Sequence, residues 1–254
     1  MIPQQRADRI AVISDVHGNL TALEAVLAHI EASGISRIFN LGDLVGKGPR
    51  SAEVVDRCRA VCEITVQGNW DAEIPAARDP SWLPGIWHRR QLGQERLAYL
   101  ADLPGSLDLL LSGGRIRLFH ASAVGIFNRV HETASRDQHR AMFANTEFTG
   151  SGVDPDVVGY GDIHRPYILN FEGRTLFNAG SVGNPLDMPL ACYCVLEGMY
   201  GSADSSPWSL NVVRIPYDIE AEVAAATTSA MPDLHHYVRE LRTAVYRGKT
   251  AIQA

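Results

Sequence analysis

The chain has 254 residues, 46% of them apolar, with 23 Lys and Arg against 29 Asp and Glu and a formal charge of −6. That is enough chain and apolar side chain for one large α/β domain or two small ones, and the acidic balance argues against a general nucleic-acid binder, which needs a basic face. No apolar run reaches the roughly 18 residues of a membrane span, and the N-terminal "MIPQQRADRIAVIS" has neither a basic n-region nor a small-residue cleavage site, so a cytoplasmic protein is expected.

The first half alternates strand and helix. Arg9 to Ser14 is an apolar run of strand length. Thr21 and Glu24 match a capping box, and Leu23, Val26, Leu27 and Ile30 then repeat at helical spacing, with Gly34 as the stop. A second strand follows at Ile38 to Leu41, a helix at about 52–60, and a third strand at Ile64 to Val66. This βαβαβ order predicts a parallel sheet with right-handed crossovers. The Pro- and Trp-rich stretch at about 74–103 reads as a lid-like insertion in a single domain, 1–254, with a helix from Gln91 to Leu100. "SLDLLLSGGRIRLFHAS" predicts two strands meeting at Gly113-Gly114. A helix at about 136–143, a strand from Asp156 to Tyr160, several strands after Tyr167 and a C-terminal helix at about 233–246 complete the chain, the late strands suggesting a second, more antiparallel sheet. Cys58, Cys62, Cys192 and Cys194 lack finger-like spacing and read as buried free thiols.

The polar residues of interest fall just past strands: Asp15 and His17, Asp43, Asn69, His120, then Asp162 and His164. The C-terminal edge of an α/β sheet is where sites are built. In extended chain the side chains of i and i+2 share a side, so Asp15 with His17, and Asp162 with His164, are each expected to reach one ion. Mixed carboxylate, imidazole and amide oxygen suits Mn, Fe or Zn better than Ca or Mg. Seven such groups exceed one tetrahedral site and suit two ions, which together can hold a hydroxide and clamp a phosphoryl group for in-line attack. His29, His88, His131, His139, His235 and His236 lie outside the series and read as surface or packing residues.

The segments "SDVHGN", "GDLVGKGP", "GNWD", "FHAS" and "GDIHRP", in this order, with "FNAGSVGNP" beyond them, resemble the motifs of the calcineurin-like metallophosphoesterase superfamily, and within it a bacterial branch of small phosphoesterases that includes asymmetrical diadenosine-tetraphosphate and ATP phosphohydrolases. The resemblance implies a four-layer α/β/β/α sandwich of two mixed sheets. It also implies that Asp15, His17 and His164 hold one ion, that Asp43 bridges, and that Asn69 and His120 hold the second. The family's G-H-x-H appears here as Gly161-Asp162-Ile163-His164, so Asp162 stands where a histidine ligand is usual and is expected to bind through oxygen. Trp70 stands where the family keeps a catalytic histidine. An indole cannot act as an acid near neutral pH, so the site is expected to favour anhydrides or aryl esters, whose leaving groups need no proton. Trp70 also offers a flat face for a base, and Asp71 is a candidate to orient a proton-donating water.

The expected activity is a two-metal phosphohydrolase, with a metal-bridged hydroxide attacking nucleoside polyphosphates or related phosphoesters. Its cofactors would be two transition-metal ions, Mn and/or Fe, with Zn, Ni or Co as alternatives. Its partner would be a small phosphorylated substrate such as a nucleotide, with a homo-oligomer as an open option. Two other readings use the same residues: a phosphodiesterase or protein phosphatase, and a degenerate, non-catalytic metal-binding protein.

Overall fold

The computed structural model describes residues 7–248. The parallel core of one sheet is β1 (Asp8–Ile13), β2 (Arg37–Asn40) and β3 (Ile64–Thr65), crossed over by α1 (Leu20–Ala32) and α2 (Ser51–Val61). Two further helices follow, α3 (Asn69–Ala76) and α4 (Leu83–Ala101). The second sheet holds β4 (Ser106–Leu111), β5 (Gly114–Phe119), β6 (Val157–Tyr160), β7 (Tyr167–Phe171) and β8 (Arg174–Asn178), with α5 (Arg136–Ala141) between β5 and β6. The strands β9 (Ala191–Gly198) and β10 (Ser209–Ile215) precede α6 (Ile219–Thr228) and α7 (Leu234–Thr243).

The strand orders are β10-β9-β1-β2-β3 and β4-β5-β6-β8-β7. Both sheets are mixed. The second is parallel through β5, β6 and β8 and antiparallel only at its edges. The expectation of an antiparallel sheet made from all the late strands is therefore corrected: β9 and β10 return to the first sheet, pairing antiparallel with β1 and with each other. Strand residues alone do not reveal which sheet they join, because that choice depends on contacts nearly 200 residues apart.

Alternation along the strands builds the layers. In β1, Ile10 and Val12 pack between the sheets while Ala11 and Ile13 pack under the helices. In β6, Val157 faces the first sheet and Val158 and Tyr160 face the outer layer around α5. Both faces of β1 are covered, which is why its sequence is a continuous apolar run. Each such side chain, fully buried, contributes about 1.5–3 kcal/mol. The result is the expected α/β/β/α sandwich, with a thin outer layer over the second sheet. No described helix is long and apolar enough to cross a membrane.

Two local expectations change. Asn19 caps α1, its Oδ1 accepting from the Ala22 N–H at 2.9 Å, while the Thr21 hydroxyl donates to Glu222 at 2.7 Å. Both residues have capping chemistry, and tertiary packing recruits Thr21 elsewhere. The 74–103 stretch is mostly helix rather than loop. Ile74, Leu92, Leu97 and Leu100 join the core under the first sheet, and Gly93, at φ 67°, kinks α4. The four cysteines are free thiols.

Candidate metal centre

β1, β2, β3, β5 and β6 end at one edge of the molecule, and the loops leaving them carry Asp15 and His17, Asp43, Asn69, His120, and Asp162 and His164. Asn69 opens α3. Five of the others are not extended. Asp15, His17, Asp43, Asp162 and His164 all have left-handed backbone, with φ of 53°, 49°, 56°, 65° and 57°. The convergence expected from strand alternation is thus reached by another route. Such backbone costs on the order of 1–2 kcal/mol per residue, and surrounding bonds hold it. The Asp15 N–H donates to Gly42 at 2.9 Å, the His17 N–H to Asp43 at 2.9 Å, and the Ser181 hydroxyl to the Asp15 carbonyl at 2.7 Å. At Gly68 any side chain would strike the Asp43 carboxylate, since a Cβ there would lie 2.2 Å from its Oδ1.

The three histidines are oriented alike. Nδ1 lies 3.0 Å from the Val45 carbonyl in His17, 2.8 Å from Leu41 in His120 and 2.6 Å from Asn184 in His164. A carbonyl only accepts, so each Nδ1 carries a proton, and Nε2 is the atom each ring offers to the site. Those nitrogens converge. Nε2 of His17 and of His164 are 3.1 Å apart, and Nε2 of His120 is 3.1 Å from Oδ1 of Asn69. The Oδ2 of Asp43 is 3.5 Å from Nε2 of both His17 and His120, where a bridging oxygen would sit. The Oδ1 of Asp15 is buried without a hydrogen-bond donor, 3.1 Å from Nε2 of His164. Acceptors facing acceptors in a buried site repel unless a cation lies among them. The residues therefore fit metal ions, and two triads have the required spacing: Asp15, His17 and His164, and Asp15, Asp43 and His120, with ligand atoms within 4.8 Å of one another.

The electrostatics agree. Burial, together with the charge of Lys47, keeps His17 neutral, far below the usual imidazole range. Burial also opposes charge on His120, yet the carboxylates of Asp43, Asp15 and Asp162 raise it to about 9. Burial and the neighbouring charges of Asp15 and Asp71 push Asp43 well up. Carboxylates this crowded and buried favour positive charge beside them, whether a proton on His120 or a metal cation.

Asp162 belongs to neither triad. Its oxygens are held by Arg129 at 2.6 and 2.8 Å, and its Oδ1 is 4.0 Å from Nε2 of His120. Asp162 and His164 thus do not point at one ion as the i, i+2 argument expected. His164 turns to Asp15 and His17, and Asp162 turns to the arginine. Asp71 lies behind the site. Its carboxylate accepts from the backbone N–H of Asp43 at 2.7 Å, Leu44 at 2.9 Å and Gly68 at 3.0 Å. Fully buried and so engaged, it positions the Asp43 loop and caps α3, and both its oxygens are taken by backbone N–H groups. Trp70 donates its backbone N–H to Oδ1 of Asp43 at 2.8 Å. Its indole lies over Gly46, edge-on to His17 at 5.8 Å and against Trp82 at 6.2 Å.

The cluster opens into a cleft of about 530 Å³ whose lining includes Asp43, Lys47, Trp70, Arg129, His164 and Tyr246. No residue of segment 74–103, expected as a lid, lines this cleft. The cleft's outer wall comes from residues 129–133 and from 244–246 after α7. His131, set aside in the sequence, lines the cleft, and His88, within 74–103, is buried beside Ser51 instead. Sequence reasoning missed Lys47, Arg129 and Tyr246. Lys47 sits inside the "GDLVGKGP" segment and carried a signal; the other two lie in stretches without a motif.

The calcineurin-like phosphoesterase superfamily domain matches residues 9–199. Uncharacterized protein MJ0912 of Methanocaldococcus jannaschii is 28% identical over 252 residues, covering 88% of this chain and 94% of that protein. Phosphodiesterase YfcE of Escherichia coli K12 is 31% identical over 99 residues, 35% of this chain and 54% of YfcE. The solved metallophosphoesterase of Sphaerobacter thermophilus superposes with a TM-score of 0.74 at 27% identity, covering 94% of this chain and all of that one. A hypothetical protein of Pyrococcus horikoshii OT3 shares the fold at a TM-score of 0.75 and 18% identity, covering 94% of this chain and 99% of its own. Motif order, strand-end geometry and these similarities agree: the chain belongs to the calcineurin-like phosphoesterase superfamily.

Proposed function

We propose that the protein is a two-metal phosphohydrolase acting on nucleoside polyphosphates or related phosphoesters. The observation that carries this reading is the buried convergence of imidazole nitrogens and carboxylates at the floor of a cleft lined by cations. Asp15, His17 and His164 would hold one ion, and Asp43, His120 and Asn69 the other, with Mn and Fe the best matches to this donor set. Bound there, the ions supply Lewis-acid charge and an activated water for attack on phosphorus.

The remaining work falls to the chain. Nδ1 contacts to Val45, Leu41 and Asn184 fix the rings, so little reorganisation is needed during reaction. Lys47, its Nζ 2.7 Å from Oδ1 of Asn184, and Arg129 face the cleft and suit an anionic substrate. Trp70 supplies an apolar wall but no acid, which favours substrates that leave as stable anions. A second reading, phosphodiesterase, is favoured by the similarity to YfcE. Kinetics on ATP, a dinucleoside polyphosphate, a mono-aryl phosphate and a bis-aryl phosphate, with Mn, distinguish the two. Faster turnover of the anhydrides than of the bis-aryl ester is expected; the reverse order selects the diesterase. No hydrolysis of any of them above an Asp43→Asn control would defeat both.

A further inference from the structure

We infer that Arg129 withholds Asp162 from the metal cluster, so that the centre is built asymmetrically, with one tight ion site and one weak site gated by this arginine. The inference rests on the two-metal reading. Both oxygens of Asp162 meet the guanidinium in a forked pair, Oδ1 at 2.6 Å and Oδ2 at 2.8 Å, the strong bidentate geometry of Arg with carboxylate. Asp162 is 5% exposed, so this pairing satisfies a buried charge. Its backbone N–H donates to Oδ2 of Asp15 at 3.0 Å, which ties the residue to the cluster, and its Oδ1 stays 4.0 Å from Nε2 of His120 while the guanidinium holds it.

The two ion sites consequently differ. Both have a triad with its rings pinned by backbone carbonyls, Asp15, His17 and His164 in one and Asp15, Asp43 and His120 in the other. The site around Asp43 and His120 borders the Asp162 side chain, whose Oδ1 lies 4.0 Å from Nε2 of His120 while both its oxygens accept from the guanidinium. A carboxylate held by arginine is a poorer metal ligand, and a fixed positive charge nearby weakens that site further. The Arg129 side chain is half exposed and lines the cleft. An anion entering the cleft can therefore compete with Asp162 for Arg129. Binding of the anion and of the second ion would then favour each other, and by linkage the coupling is reciprocal.

Metal binding tests this directly. Mn²⁺ is titrated into the metal-free full chain by calorimetry, with bound metal counted by elemental analysis, for wild type, Arg129→Ala, Arg129→Gln and Asp162→His. Wild type is expected to bind one ion tightly and a second at least on the order of tenfold more weakly, the usual reach of a residue that orients metal ligands. Either arginine variant should tighten the second ion and leave the first alone. Asp162→His, which supplies an imidazole that arginine does not claim, should do the same. Added inorganic phosphate should tighten the second ion in wild type and not in Arg129→Ala. Equal affinities in wild type, or a second ion unchanged or weakened in both arginine variants, would overturn the inference while leaving the two-metal reading intact. Failure of wild type to bind any ion would instead remove that reading, and this inference with it.

Discussion

Two buried polar clusters lie on either side of Asn184, and they differ in kind. Under α6 and α7, Glu222 and Glu240 are fully buried carboxylates. Glu222 accepts from the Thr21 hydroxyl at 2.7 Å, from the Tyr237 hydroxyl at 3.1 Å and from Arg50. Glu240 accepts from Nδ2 of Asn184 at 3.1 Å and from Nε and the backbone N–H of Arg247 at 2.9 and 3.0 Å. Each oxygen of both carboxylates has a donor. At the strand ends, on the other side of Asn184, acceptors face acceptors. Carboxylates whose oxygens all have donors act as a fastener, here clamping the C-terminal helices onto α1 and α2. A set that cannot be balanced by its own atoms needs something from outside, and that imbalance distinguishes a site from a structural network.

The contrast can be tested from both ends. The largest effect is expected from Asp43→Asn. It retains an oxygen for the Trp70 N–H but removes the charge between His17 and His120, and should reduce aryl-phosphate hydrolysis by at least about 10³-fold, the several kcal/mol expected from Lewis-acid stabilisation. Circular dichroism should be unchanged. The complementary change is Glu222→Ala. It strands Arg50 and should destabilise the fold by about 3 kcal/mol in denaturant titration, as breaking a buried pair does, while metal content per folded chain is unaltered. If Glu222→Ala also stripped the metal, the two clusters would be one unit.

His88 offers an intermediate case, a buried titratable ring outside both clusters, beside the Ser51 hydroxyl. It is 2% exposed, and burial lowers its pKa from 6.5 to about 4. The folded state keeps it neutral while the unfolded chain takes up a proton. The stability it contributes is therefore fully present above pH 6.5 and is lost as pH falls toward 4, by about 3 kcal/mol at most. Urea titrations across this range should show that slope in wild type and a shallower one in His88→Phe. The smallest effect is expected at Trp70. Trp70→Ala should raise KM for ATP by an amount worth about 1–3 kcal/mol if a base stacks there, with little change for an aryl phosphate small enough not to reach it. Equal losses on both substrates would make the indole a packing residue only.

Much of this was legible in the sequence for local reasons. Leu23, Val26, Leu27 and Ile30 follow helical spacing and all are buried in α1. The strand-end series was legible because a parallel strand delivers its next residues to a common edge regardless of what lies between. Asp71 was misread because "GNWD" shows an acid next to a site but not the direction it faces. The backbone amides that claim it come from residues 43, 44 and 68. The cleft wall was misplaced because the Pro- and Trp-rich composition of 74–103 resembles a lid, while its apolar residues in fact complete the first core.

By itself the sequence determined the parallel βαβαβ start, the edge on which the site lies and the identity of most polar groups at it, while the sandwich was implied by the resemblance of its motifs to a known family. The former follow from strand periodicity and from residues adjacent to strand ends, both short-range properties. Only the tertiary structure decided how those groups are shared: the three imidazoles turned by carbonyls of Val45, Leu41 and Asn184, Asp71 given to the backbone, Asp162 given to Arg129, and the cleft walled by the C-terminal segment. Each of these depends on a partner at least 20 residues away, and pairing at that distance is set by packing rather than by anything local to either residue.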